Sequence, residues 1–256
     1  MTSTTLTLTA VEGLPLVQPG DDLVALIVAA LERQALMPAD GDVLVVAQKI
    51  VSKAEGRYVD LNTVRPSSRA KELAVATGKD PRLVEAILSE SKRVLRHRPN
   101  VLIVEHRLGF VMANAGVDRS NVGPGTRGER VLLLPKDPDA AAEGLRARLA
   151  GHFDAQIGVV VNDSFGRAWR RGTVGVALGA AGLPSLVDLR GRADLFGREL
   201  QVTETGFADE IAAAASLVMG QADEKRPVVL VRGLAWSAAP APAATLIRAA
   251  AEDLFR

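Results

Sequence analysis

The chain has 256 residues, enough for one large domain or two lobes sharing a core. A formal net charge of +1 and only 4% aromatic residues give no global field or base-stacking surface for nucleic acid or an anionic membrane. With no cysteine, disulfides, thiolate nucleophiles and cysteine-zinc sites are excluded.

The N-terminus is Thr-rich and lacks a basic segment followed by an apolar core, so it does not read as a signal peptide. The apolar runs, such as Leu23 to Leu31, are too short to span a bilayer, and a cytoplasmic location is expected. Thr5 to Val11 reads as a first strand, after which Gly13-Leu14-Pro15-Leu16 turns the chain. Asp21 or Asp22 caps a helix running to about Leu36. Asp42 to Ala47 is a strand of buried type. Ser67 to Thr77 and Pro81 to Arg96 read as helices, the second opened by Asp80 as N-cap and a proline at the first helical position. Val101 to Val104 and Leu108 to Met112 form a strand pair, and Val131 to Leu134 a further strand. A helix starts at Asp137-Pro138 and reaches about Leu149; Ile157 to Val161 is the next strand. Thr173 to Leu178, Leu186 to Leu189 and Pro227 to Val231 read as strands, Phe207 to Met219 and Ala244 to Phe255 as helices. The elements interleave without a regular βαβ repeat, so the expected class is α+β, a mixed β-sheet core with flanking helices.

The most informative segment is Val159 to Gly172. An apolar β-branched run stops at Asp163-Ser164, followed by a glycine and the three arginines Arg167, Arg170 and Arg171. Strand ends of this kind hold side chains at a sheet edge, and the Asp and Ser oxygens suit hard cations. The same residues also serve ordinary turn and cap chemistry. Guanidinium groups suit anionic substrates, although surface acids could pair with them instead. Lys49 and Lys53 lie four apart, which on a helix places both ammonium groups on one face, toward phosphate or toward solvent. The Ala113 to Asn121 loop supplies a second acid, Asp118, among small residues. Gly123-Pro124-Gly125-Thr126-Arg127-Gly128 is a GxGxxG string, but a polar loop precedes it and a strand follows, the wrong context for a dinucleotide fingerprint. The basic run Lys92-Arg93 with Arg96, His97 and Arg98 reads as a solvated helix end or a polyanion contact.

Taken together, Gly13 to Leu16, Gln48 to Gly56, Ala113 to Asn121, Asp163 to Gly172 and Met219-Gly220-Gln221 resemble, in order, the GTP-dependent coenzyme F420-0:L-glutamate ligases. That family adds glutamate to a deazaflavin cofactor precursor. The resemblance implies one family domain of two lobes over residues 1–256, too short to carry the C-terminal nitroreductase-like domain of some members. It implies that Gly13, Leu14, Pro15, Leu16, Gln48, Lys53, Asn121, Met219, Gly220 and Gln221 contact GTP. It also implies that Asp118, Asp163, Ser164 and Gln221 hold two divalent cations, Mg2+ or Mn2+, with K+ as a further cofactor. Asp118, Asp163 and Lys53 would carry the catalysis, and a homodimer is expected. Two departures from the pattern stand out. Asn162-Asp163-Ser164 replaces a Ser-Asp-Thr string, and Ala222 to Arg226 is more charged than a Gly-rich loop. A metal-dependent phosphohydrolase and a non-catalytic GTP-binding module are the alternatives; GTP hydrolysis without the other substrates, or binding without turnover, would distinguish them.

Overall fold

Residues 5–120, 122 and 129–254 are described by the computed structural model. Asn121 and the GxGxxG string lie outside them. In chain order the elements are β1 (Thr7–Ala10), α1 (Leu23–Arg33), β2 (Val43–Ala47), α2 (Gln48–Ala54), β3 (Tyr58–Asp60) and α3 (Ser68–Thr77). Next come α4 (Pro81–Ser89), β4 (Ser91–Arg98), β5 (Val101–His106), β6 (Val111–Ala113), β7 (Arg130–Leu132) and α5 (Pro138–Phe153). The last are β8 (Gly158–Gly166), β9 (Thr173–Ala181), β10 (Val187–Asp188), β11 (Glu204–Thr205), α6 (Phe207–Met219) and β12 (Val228–Arg232).

The continuous Val-Leu-Val-Val run of β2 is buried because helices cover both faces of its sheet. That sheet has the order β1-β12-β2-β8-β9. Only β2 and β8 are parallel neighbours, so the sheet is mixed, as the irregular element order predicts. On one face Leu44, Val46, Val159 and Val161 pack with Ile27 and Leu31 of α1 and Leu145 and Leu149 of α5. On the other, Val45, Val160, Val229 and Val231 pack with Ile211, Ala212 and Ala215 of α6. Gly175 lets α6 lie this close: a Cβ there would overlap the Ala212 carbonyl. A second lobe has its own apolar cluster, with Leu73 of α3, Val84 and Ile87 of α4, Leu102 and Val104 of β5 and Val131 of β7. The class is therefore α+β.

Helix starts follow the sequence closely. Asp22 accepts from the amides of Val24 and Ala25, Asp80 from Arg82, and Asp137 from Ala140. Three expectations need correction. The helix from Pro81 stops at Ser89, and the basic run lies on β4, paired antiparallel with β5. Pairing with β5, irregular at two points, satisfies the backbone of Ser91–Arg98 in a ladder, so the positive charges line a strand and not a helix end. The segment after Ala243 forms two short 3-10 turns instead of a terminal helix, because Asp139 of α5 takes the amides of Ala243 and Ala244. The strand expected at Leu186–Leu189 shrinks to β10, the root of a ribbon with β11. No helix among the described residues is long and apolar enough to cross a membrane.

Candidate active site

Strand direction brings the singled-out segments to one edge. β1, β2 and β8 run one way, β12 and β9 the other. That edge therefore collects the turn after β1 (Gly13 to Leu16), the start of α2 (Gln48), the Asn162-Asp163 step of β8, and the loop from Met219 to Arg226 that enters β12. Ala47 and Asn162 are register partners there. Arg226 Nε lies 3.6 Å from Glu12 Oε1, which links the β12 loop to the Gly13 turn. Gly13 adopts φ +75° and offers its carbonyl to Arg33 of α1 at 2.9 Å. Ligands of open α/β sheets bind beyond the carboxyl ends of parallel strands, and this edge is such a place.

Asp118 arrives from the second lobe. It exchanges both backbone hydrogen bonds with Leu132 of β7, and β7 pairs with β3, which follows α2. Just before it, Asn114, Ala115 and Gly116 are all left-handed, with φ of +53°, +52° and +65°. Two non-glycine residues held so cost on the order of 1 kcal/mol each, and the small-residue loop is what makes the tight turn possible.

The acids meet cations and amides. Lys49 Nζ lies 2.8 Å from Asp118 Oδ2, and Gln48 Nε2 donates to the same oxygen at 3.0 Å. Ser52, buried on α2, donates to Gln48 Oε1 at 3.0 Å and so turns the Gln48 amide toward the acid. Asp163 faces the α2 side of the sheet. Its Oδ1 accepts the Ser164 amide at 2.8 Å. Burial, then the Asp118 charge, pushes its carboxyl up to about 7, against pulls from Lys49, the Ser164 amide and a Gln48 hydrogen bond. Lys53 is lowered by burial and by Lys49, while Asp118 raises it.

The structure thus joins Gln48, Lys53, Asp118 and Asp163, and adds Lys49 and Ser52. Lys49 stood out in the sequence only for its spacing from Lys53. Ser52 carried no signal there except its position four residues after Gln48. Ser164 alternates back to the α6 face, like Asn162, which donates to Ser216 Oγ at 3.2 Å. Met219 Sδ sits 3.6 Å from the same Asn162 nitrogen. Gln221 is exposed in the turn after α6. Arg167, Arg170 and Arg171 occupy the β8–β9 turn, beyond the same edge. Arg167 is committed there, donating from Nη2 to the Arg171 carbonyl at 2.8 Å.

Two carboxylates, Asp118 raising Asp163, thus stand at a sheet edge with two lysines and neutral oxygen donors, a set of side chains able to meet both cations and anions. The chain belongs to the F420-0:Gamma-glutamyl ligase family, whose model matches residues 13–233. It is 48% identical to the coenzyme F420:L-glutamate ligase of Methanothermobacter thermautotrophicus, over 90% of each chain. Against the protein of the same name from Methanopyrus kandleri, identity is 47% over 96% of this chain and 97% of the relative. The Natronomonas pharaonis protein of that name is 48% identical over 89% of this chain and 85% of its own.

Proposed function

We propose that this chain is an amide-forming ligase that joins L-glutamate to coenzyme F420-0 in coenzyme F420 biosynthesis, with GTP as the phosphoryl donor. The observation that carries this reading is the meeting of Gln48, Lys49 and Asp118 beside Asp163, all within segments that resemble the family's site.

The chemistry has two steps. A carboxylate oxygen of the precursor attacks the γ-phosphorus of GTP, the bond to the GDP oxygen breaks, and an acyl phosphate forms. The α-amine of glutamate, having lost a proton, then attacks the acyl carbon and expels phosphate. Such transfer needs positioning and charge neutralisation more than a protein nucleophile, so the absence of cysteine is no obstacle.

The donor set fits divalent cations. Burial and then the Asp118 charge raise Asp163 to about 7, and an added cation would favour its ionised form. Asp118 and Asp163 would be the anionic ligands of two Mg2+ or Mn2+ ions, with Gln221 reaching in from its exposed turn and Ser164, whose side chain faces α6, contributing through its main-chain carbonyl; the ions would supply charge neutralisation at the phosphate oxygens. K+ would be a further cofactor. Lys53 and Lys49 offer charge to the triphosphate from one face of α2, and Gln48, held by Ser52, fixes the direction of the Asp118 carboxylate. Gly13 to Leu16 and Met219 to Gln221 would flank the nucleotide.

The test is incubation of the protein with F420-0, GTP, Mg2+ or Mn2+ and glutamate, read by mass spectrometry. Glutamyl addition with matching GDP supports the ligase. Phosphate release that needs neither F420-0 nor glutamate makes the protein a phosphohydrolase, and tight GTP binding without turnover makes it a binding module.

We further infer a homodimer. The ribbon from Val187 to Thr205 projects from the body with Leu195 and Phe196 at its tip, 98% and 95% exposed. At its root an open groove is lined by Val187, Phe207 and Trp236. A second copy that seats its knob in this groove while its own groove receives this knob would make a reciprocal, two-fold contact.

A further inference from the structure

We propose that the turn between β8 and β9, with Trp169 at its tip and the Arg170 and Arg171 guanidinium groups beside it, is a docking platform for a planar aromatic ring that carries negative charge. Resting on the ligase reading, this would be the ring end of the deazaflavin substrate.

The β8–β9 hairpin outruns its sheet. β2 stops at the register partner of Asn162, whereas β8 continues to Gly166, paired with Thr173. At about 3.3 Å per residue, Gly166 stands roughly 10 Å beyond Asp163, and the turn lies farther out. The hairpin is braced at its base, where Phe165 meets Phe110 edge to face with ring centroids 5.9 Å apart. The Arg167 bond to the Arg171 carbonyl closes the turn. The tip is therefore held at a fixed reach from the acid pair.

What the tip displays is costly for folding alone. Trp169 is 89% exposed and adopts φ +64°. Leaving an indole in water forgoes a few kcal/mol of burial, and a left-handed non-glycine residue adds strain. Arg170 and Arg171 are exposed, and among the described residues no acid pairs with either guanidinium. An indole face and free guanidinium groups are complementary to one kind of ligand, a flat π-system with an anionic arm. A molecule with its ring on Trp169 and its reacting carboxylate at Asp163 is bound extended along the hairpin.

The test uses the chain's two tryptophans. In a Trp236→Phe background, fluorescence reports Trp169 alone. Titration with F420-0, and with flavin mononucleotide against riboflavin, should quench it saturably, with the phosphorylated flavin binding more tightly than the uncharged one. In steady-state assays Trp169→Ala should raise KM for F420-0 about 10-fold or more while KM for GTP and kcat change less than two-fold. Trp169→Phe should recover most of the loss, and Arg170→Ala with Arg171→Ala should weaken the phosphorylated flavin but not riboflavin. No saturable quenching by any of the three overturns the platform. So does an unchanged KM in Trp169→Ala, including the case where that variant changes only the oligomeric state. If the wild type fails to glutamylate F420-0, the ligase reading falls, and the flavin titrations still decide the platform.

Discussion

Lys49 holds Asp118 through one oxygen, with Nζ 2.8 Å from Oδ2, and Asp118 in turn raises Asp163. The lysine thus supplies at Asp118 the positive charge that a divalent cation would otherwise bring. Lys49→Met should split two affinities. Measured at pH 8.5, above the raised value of Asp163, Mn2+ should bind several-fold more tightly because its competitor is gone. GTP should bind several-fold more weakly because one phosphate-facing charge is lost. Isothermal titration of each ligand checks this, and a parallel loss of both would mean that Lys49 only braces the fold.

Asp163 costs the empty protein stability. A carboxyl held up at about 7 when folded binds a proton that the unfolded chain, near 3.8, has released. Stability therefore declines as pH rises from about 4 to 7, and the cost is fully present above that window. Asp163→Asn should abolish turnover yet raise the metal-free melting temperature at pH 8 by a few degrees, since about 1 kcal/mol moves Tm by 2–4 °C at this size. A thermal melt with and without Mn2+ reads both effects: the cation should stabilise the wild type and leave the variant unmoved. A near-normal rate in this variant would refute the metal assignment.

Ser52 tests positioning without touching substrate. It is fully buried, and its hydroxyl sets which end of Gln48 faces Asp118. Ser52→Ala frees that amide and leaves Gln48 Oε1 without its donor, at a cost of about 1 kcal/mol. The expected result is a raised KM for GTP with a smaller change in kcat. Ser52→Thr, which keeps the hydroxyl, should restore the lower KM; equal defects in both variants would point to packing alone.

Much of this site was legible as separate strings, and the reason it was not legible as a site is distance along the chain. Asp163 announces itself because an apolar strand halts on an acid. Asp118 lies 45 residues earlier, in the other lobe, and only the family resemblance connected the two. The Lys49 contact needs α2, which has seven residues and no side-chain cap at Ala47, too little for a periodic or capping signal. Caps with side-chain oxygens, at Asp22, Asp80 and Asp137, were readable because their chemistry is local. β4 does not show in the sequence because Ser91–Arg98 continues the charged pattern of a helix, while its pairing with β5 depends on chain reversal at Asn100, which has φ +65°.

Glu90 should govern the acid limit of the fold. Its Oε2 receives Arg57 at 2.8 Å and Arg107 at 3.0 Å, with His106 Nε2 at 3.5 Å. Burial works to raise this carboxyl, but the nearby His106 ring and the two guanidinium groups overcome it and hold it at about 2. Arg57 also bonds the Leu134 carbonyl and Arg107 the Lys136 carbonyl, so the cluster ties the end of α4 to the segment entering α5. A depressed acid contributes its stability above its unfolded value, near 4.5, and loses it as pH falls toward 2. Glu90→Gln should lose about 3 kcal/mol at pH 7 and show no further loss from this group between pH 4.5 and 2. Urea unfolding at pH 7 and pH 3 checks it; an unchanged acid limb in the variant would assign acid sensitivity elsewhere.

The ribbon tip makes the last prediction. Two strands alone are marginal in water, and this ribbon rests on its own ladder, with Leu189 donating to Thr203, Gly191 to Leu200 and Asp194 to Arg198. Leu195, Phe196 and Val202 add an apolar surface that a lone chain leaves wet. A second copy with the same groove at the root of its ribbon would cover that surface twice over. Leu195→Asp with Phe196→Asp should therefore give a monomer by light scattering at micromolar concentration, where the wild type should run as a dimer. The changed side chains touch nothing in their own subunit's core, so the monomer should keep its far-UV circular dichroism. A wild type that is monomeric, or a variant that still dimerises, would leave the tip to some other occupant.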